Sequence, residues 1–117
     1  MDTIKINTLS RRKANIEYAK NESEYNVVWG KTKFRITTIE IDDILNYYFI
    51  NVDIWLPLGA SMTKPTPGGL GEYISEKNNS LTPRHASAIA PIMVNEGFIE
   101  YKKEGNAIFL RKITNES

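Results

Sequence analysis

The sequence predicts an α+β fold, and three observations carry that prediction. A helix bounded by Thr82-Pro83 and Gly97 runs directly into two β-prone segments around Lys103-Glu104-Gly105-Asn106. A second helix is announced by Thr37-Thr38-Ile39-Glu40, which has the spacing of a capping box. The first 37 residues, by contrast, are dominated by short β-prone runs.

Taken in order, Thr3–Thr8 (TIKINT) alternates and reads as a short strand. Ser10–Lys20 reads either as a helix begun at Ser10, with poor periodicity, or as an arm. Tyr25–Trp29 and Lys33–Thr37 flank Gly30-Lys31-Thr32 and form a predicted hairpin. A helix over 38–50 follows, with Ile41, Ile44, Leu45, Tyr48 and Val52 on one buried face. Asp42 and Asp43 sit in its first turn, where the helix dipole favours negative charge. The connection Asn51–Gly69 is long and rich in proline and glycine, and Trp55, Leu56 and Leu58 are its expected anchors. A short helix over 69–77 buries Leu70, Tyr73 and Ile74.

The helix over 83–96 has a threonine N-cap, then proline at its first position, where the missing N–H costs nothing. Gly97 supplies the stop. Ala86, Ile89, Ala90 and Met93 share its inner face, and the opposite face is expected to present Arg84, His85, Ser87 and Ala88. Strands over Phe98–Lys102 and Ala107–Ile113 complete the unit. This succession resembles the winged helix-turn-helix superfamily: short helix at 69–77, recognition-type helix at 83–96, wing at 98–112, with the helix at 38–50 as the third. The resemblance implies a winged-helix domain over 38–113, with residues 1–37 as an N-terminal arm and β-hairpin extension. Two features depart from it. Pro91 lies inside the recognition-type helix and removes a hydrogen bond to Ser87, and the loop after residue 50 is unusually long.

Composition narrows the function classes. With 117 residues there is room for one domain and a modest core. No apolar run approaches the roughly 20 residues that cross a bilayer, and the first residues lack a signal peptide's apolar stretch, so a cytoplasmic protein without membrane association is expected. Zero cysteines exclude disulfides and thiol chemistry. The net charge of +1 argues against an indiscriminate polyanion binder, but its distribution is uneven. Residues 1–20 carry Lys5, Arg11, Arg12, Lys13 and Lys20, residues 21–80 are net acidic, and the wing returns Lys102, Lys103, Arg111 and Lys112.

The resemblance implies a non-enzymatic, cofactor-free protein that binds nucleic acid, foremost duplex DNA, in transcription regulation or DNA replication and maintenance. Arg84 is then the candidate for a bidentate guanine contact, with His85 and Ser87 reaching bases or phosphate. Lys102, Lys103, Asn106 and Arg111 in the wing, and Lys64 in the long loop, would meet the backbone. A homodimer through the N-terminal elements would read two half-sites. The rival expectation is a protein-interaction module on the same fold, consistent with the near-zero charge.

Other constellations are weaker. Gly30-Lys31-Thr32 resembles the end of a phosphate loop, but Tyr25 stands where the motif requires glycine. Asp53 with Glu100 and Lys102 matches a metal-dependent nuclease pattern, yet Glu100 and Lys102 are explained more simply as the exposed face of a wing strand. His85 is the only histidine, so zinc has no ligand set, and at i, i+2 it points away from Ser87. Tyr47, Tyr48, Phe49 and Trp55 could stack unpaired bases, although helical spacing favours core roles, with one of Tyr47 and Phe49 exposed.

Overall fold

The computed structural model describes residues 3–10 and 15–113; the basic run Arg11-Arg12-Lys13 and the tail from Thr114 lie outside the described residues. Four strands, β1 (Ile4–Asn7), β2 (Asn15–Lys20), β3 (Glu24–Trp29) and β4 (Thr32–Thr37), pair in sequence order as an antiparallel meander. The segment read as helix or arm is therefore a strand over Asn15–Lys20. Its residues obey the two-residue repeat of a half-buried strand: Ile16 and Tyr18 are buried while Asn15 and Lys20 are exposed. The predicted β3–β4 hairpin is present, and Trp29 pairs with Thr32 across a two-residue turn. Gly30 takes φ +60° there, a left-handed conformation that costs glycine nothing.

Thr37 starts helix α1 (Thr38–Asp43) with the predicted capping box: its Oγ1 accepts the Glu40 N–H at 3.0 Å, and Glu40 Oε1 accepts the Thr37 N–H at 2.9 Å. The expected regular helix to residue 50 does not follow. Ile44–Tyr48 widens into a π-helical segment, closed by the Phe49 N–H on the Ile44 carbonyl at 3.0 Å. The extra residue in that turn rotates Phe49 into the core, fully buried, and leaves Tyr47 69% exposed. Leu45, Tyr48 and Val52, expected on the buried face, are only half-buried.

The long connection contains strand β5 (Leu56–Pro57), which pairs with the C-terminal hairpin, and leads to helix α2 (Leu70–Lys77). Gly59 and Gly71 hold the loop against α2: a Cβ on Gly71 would lie 2.2 Å from the Gly59 carbonyl oxygen. A 3-10 turn, Pro83–His85, opens helix α3 (Ala86–Asn95). α3 ends as predicted at Gly97, with φ +82°. The Gly97 N–H bonds to the Val94 carbonyl and the Phe98 N–H to the Met93 carbonyl, the paired bonds of a Schellman stop.

The surroundings of α3 differ from expectation. Ala86, Ala88, Ile89, Ala90, Pro91, Ile92 and Met93 are all buried, because β1 packs on one side of the helix and α2 and β6 on others. Ala88, expected on the open face, is fully buried. The physical reason is legible in retrospect: Ala88–Val94 is apolar all round, and such a helix belongs inside. Pro91 sits within α3 without ending it.

Strands β6 (Ile99–Glu104) and β7 (Ala107–Lys112) are joined by Gly105-Asn106 alone, so the turn is shorter than the predicted Lys103–Asn106. The second sheet has the order β5-β7-β6. Both sheets and the helices contribute to one hydrophobic core. Among the described residues no helix is long and apolar enough to cross a membrane.

Candidate nucleic-acid interface

The antiparallel meander places the β1–β2 connection and the β3–β4 turn at the same end of the first sheet, since Asn7 pairs with Asn15 and Ile16 with Trp29. The start of α3 lies at this end too. Arg84 is exposed, and its guanidinium stacks over the Trp29 ring at 5.2 Å. The tip of the β6–β7 hairpin joins them, because Lys103 and Asn106 share a pocket with Ser87 and with Thr8–Ser10 of the β1–β2 connection.

His85 faces inward. Its Nδ1 accepts the Thr82 N–H at 2.9 Å, and its ring meets Phe34 edge-on at 4.8 Å. Burial pushes its pKa below the ordinary 6.5, and the neighbouring Arg84 acts in the same direction. The imidazole is thus neutral at physiological pH and occupied as a helix-start partner. Ser87 is half-buried and lines the pocket.

The candidate residues of the β6–β7 hairpin divide by face. Lys102 and Arg111 lie on the outer face of the hairpin, their cations 4.7 Å and 4.3 Å from the Trp55 ring. Lys102 also pairs with Glu104, and Arg111 with Glu100, each at 3.0 Å. These two cations are largely compensated, and Glu100 and Lys102 are engaged with them rather than with Asp53. Lys103, one residue on, points to the other face opposite Ile108, as the pleat requires. Lys64 is exposed in the long loop, where its N–H bonds to Ser61 Oγ at 3.1 Å. The structure thus gathers Arg84, Ser87, Lys103 and Asn106, and leaves Lys102 and Arg111 on a different surface.

Sequence reasoning missed two members of this end. Trp29 supports Arg84, and Lys31 occupies the exposed turn beside it. A lysine at a glycine turn was the available signal for the second; pairing a tryptophan in β3 with an arginine 55 positions later had none. Among the described residues, Lys31, Arg84 and Lys103 make no ion pair.

Carboxylates collect at the opposite end. The β2–β3 turn carries Glu22 and Glu24, and the Thr38 N–H bonds to Ser23 there, bringing Glu40, Asp42 and Asp43 of α1 alongside. Glu96 at the end of α3 accepts hydrogen bonds from Tyr18, at 2.6 Å, and from Lys20. Burial pushes the Glu96 carboxyl up, but those two bonds outweigh it and hold its pKa below the ordinary value. Burial and the bond to Glu96 raise the Tyr18 hydroxyl to about 12. Lys20 and Arg35 pair with Glu96 and Glu24 at this end, where carboxylates nevertheless outnumber cations.

No family model matches the chain. Nor does any curated protein or solved structure. Among the described residues there is also no cluster of three or more histidine or acidic side chains able to hold a metal ion.

Proposed function

We propose that this is a small winged-helix protein that binds nucleic acid, foremost duplex DNA, through the end formed by the β3–β4 turn, the start of α3 and the wing tip. The observation that carries this reading is the placing of three cations without an ion pair among the described residues, Lys31, Arg84 and Lys103, at the end remote from the acidic cluster. A field of that shape orients a neutral protein on a polyanion. The succession of α1, α2, α3 and the β6–β7 hairpin supports the winged-helix part of the reading.

The mode of engagement differs from a helix laid along a groove. With α3 packed on several sides, the exposed cation is Arg84 in the 3-10 turn that precedes it, so Arg84 enters ahead of the helix while Lys31 and Lys103 meet phosphates on either side. N-terminal residues are the ones by which recognition helices ordinarily reach base edges. His85 supports the helix start instead of reading a base. The protein acts by binding, in transcription regulation or in DNA replication and maintenance, and not by catalysis.

The test is binding to duplex and single-stranded DNA over a salt series. Three phosphate contacts give a slope of about −2.7 in log K against log salt on duplex. Arg84→Ala weakens a preferred site by about 1–3 kcal/mol and random duplex by less. Absence of duplex binding at low salt defeats the reading.

A second reading, a protein-interaction module, is favoured by one observation. Ile39, Tyr47 and Ile50 are 79%, 69% and 69% exposed along α1 and its continuation. Such an apolar stripe fits a protein surface, and light scattering across a concentration series detects a second copy on it.

A further inference from the structure

Thr8–Ser10 at the start of the β1–β2 connection, the first turn of α3 and the hairpin tip line an open pocket of about 290 Å³. Its base is apolar, formed in part by Leu9 and Leu58, which are 7% and 8% exposed. Its polar lining comes from three separate stretches of chain: Thr8 with Ser10, whose hydroxyls hydrogen-bond to each other at 3.2 Å, then Ser87, and Lys103 with Asn106. The side chains of Ser87, Lys103 and Asn106 make no hydrogen bond or ion pair among the described residues, and the lining contains no carboxylate. The nearest acid in sequence, Glu104, is turned to the opposite face of the hairpin, where it pairs with Lys102.

We propose that this pocket seats a phosphate group, and that in the bound state the group is a backbone phosphodiester. The inference rests on the nucleic-acid reading and adds to it a specific seat. The chemistry is that of an oxyanion site: hydroxyl and amide donors supply directed hydrogen bonds, and the lysine supplies charge. The apolar base lowers the local dielectric and strengthens both. Converging donors from the β1–β2 connection, α3 and the wing make occupancy dependent on the folded arrangement, which a lone surface lysine does not require. The volume accommodates a phosphodiester with part of its sugars, so a free phosphate and a backbone phosphate share the same chemistry here.

The experiment is a salt-slope comparison on duplex DNA with the full chain. Lys103→Gln and Ser87→Val each lower the slope by about 0.9, the contribution of one phosphate. The double variant lowers it by the same single increment, because both residues serve one group. Ser87→Ala, which removes the hydroxyl without adding bulk, weakens binding several-fold and guards against misfolding of the valine variant. If Lys103→Gln lowers the slope while both Ser87 variants leave slope and affinity unchanged, Lys103 is a free surface contact. The pocket proposal then fails and the nucleic-acid reading stands. If the wild-type chain binds no duplex, that reading fails, and inorganic phosphate decides the pocket. A phosphate-dependent rise in thermal midpoint that Ser87→Val removes assigns a free-phosphate seat, and no rise overturns it.

Discussion

Glu96 fastens the end of α3 to the first sheet through Tyr18 and Lys20. Its pKa lies below the ordinary 4.5 in the folded chain and returns to that range on unfolding. The stability it contributes is therefore full above about pH 4.5 and is lost as pH falls through the lowered folded value. Denaturant midpoints measured from pH 7 down to pH 3 should fall more steeply for the wild type than for Glu96→Gln; parallel curves would remove Glu96 from the acid response. Single residues were unevenly legible. Thr37, Glu40, Thr82 and Gly97 act through neighbours three or four positions away, and sequence spacing reveals such partners. Glu96 with Tyr18 and Arg84 with Trp29 join residues 78 and 55 positions apart, and no local pattern encodes those pairings.

Elements were legible where one physical demand dominated. Helix starts, the β3–β4 hairpin and the β6–β7 hairpin follow from caps, turns and alternation. β2 was obscured because its polar neighbours imitate a helix start at Ser10, while its own alternation spans only six residues. The π-helical turn escaped because periodicity assumes a constant pitch. The burial of α3 makes a sharp prediction. Ala88→Lys places an unpaired charge in the core and should cost more than about 3 kcal/mol in urea unfolding. An exposed helix face would tolerate it within about 0.5 kcal/mol. Gly71 tests the loop in the same way. Its alanine variant forces a Cβ against the Gly59 carbonyl, and a loss of about 1–3 kcal/mol is expected. A neutral outcome would mean that the loop yields easily.

At the scale of the molecule, the net charge of +1 conceals a cluster of carboxylates at one end of the first sheet and, at the other, cations that make no ion pair among the described residues. The uneven distribution of charge along the chain was visible from the start. Which cations remain uncompensated was not, because that depends on the pleat that turns Lys102 and Lys103 to opposite faces and on the stacking of Arg111 and Lys102 over Trp55. The same fold buries most of α3 and leaves Arg84, in the turn before it, exposed, so in the proposed reading the contact passes to an end of the domain. The most direct test replaces Lys31, Arg84 and Lys103 together by glutamine and compares the duplex salt slope with that of a control triple, Lys5, Arg35 and Lys77. The first variant should lose about 2.7 of slope and nearly all low-salt affinity, and the control should lose little. Equal losses from the two triples would contradict a polar binding end.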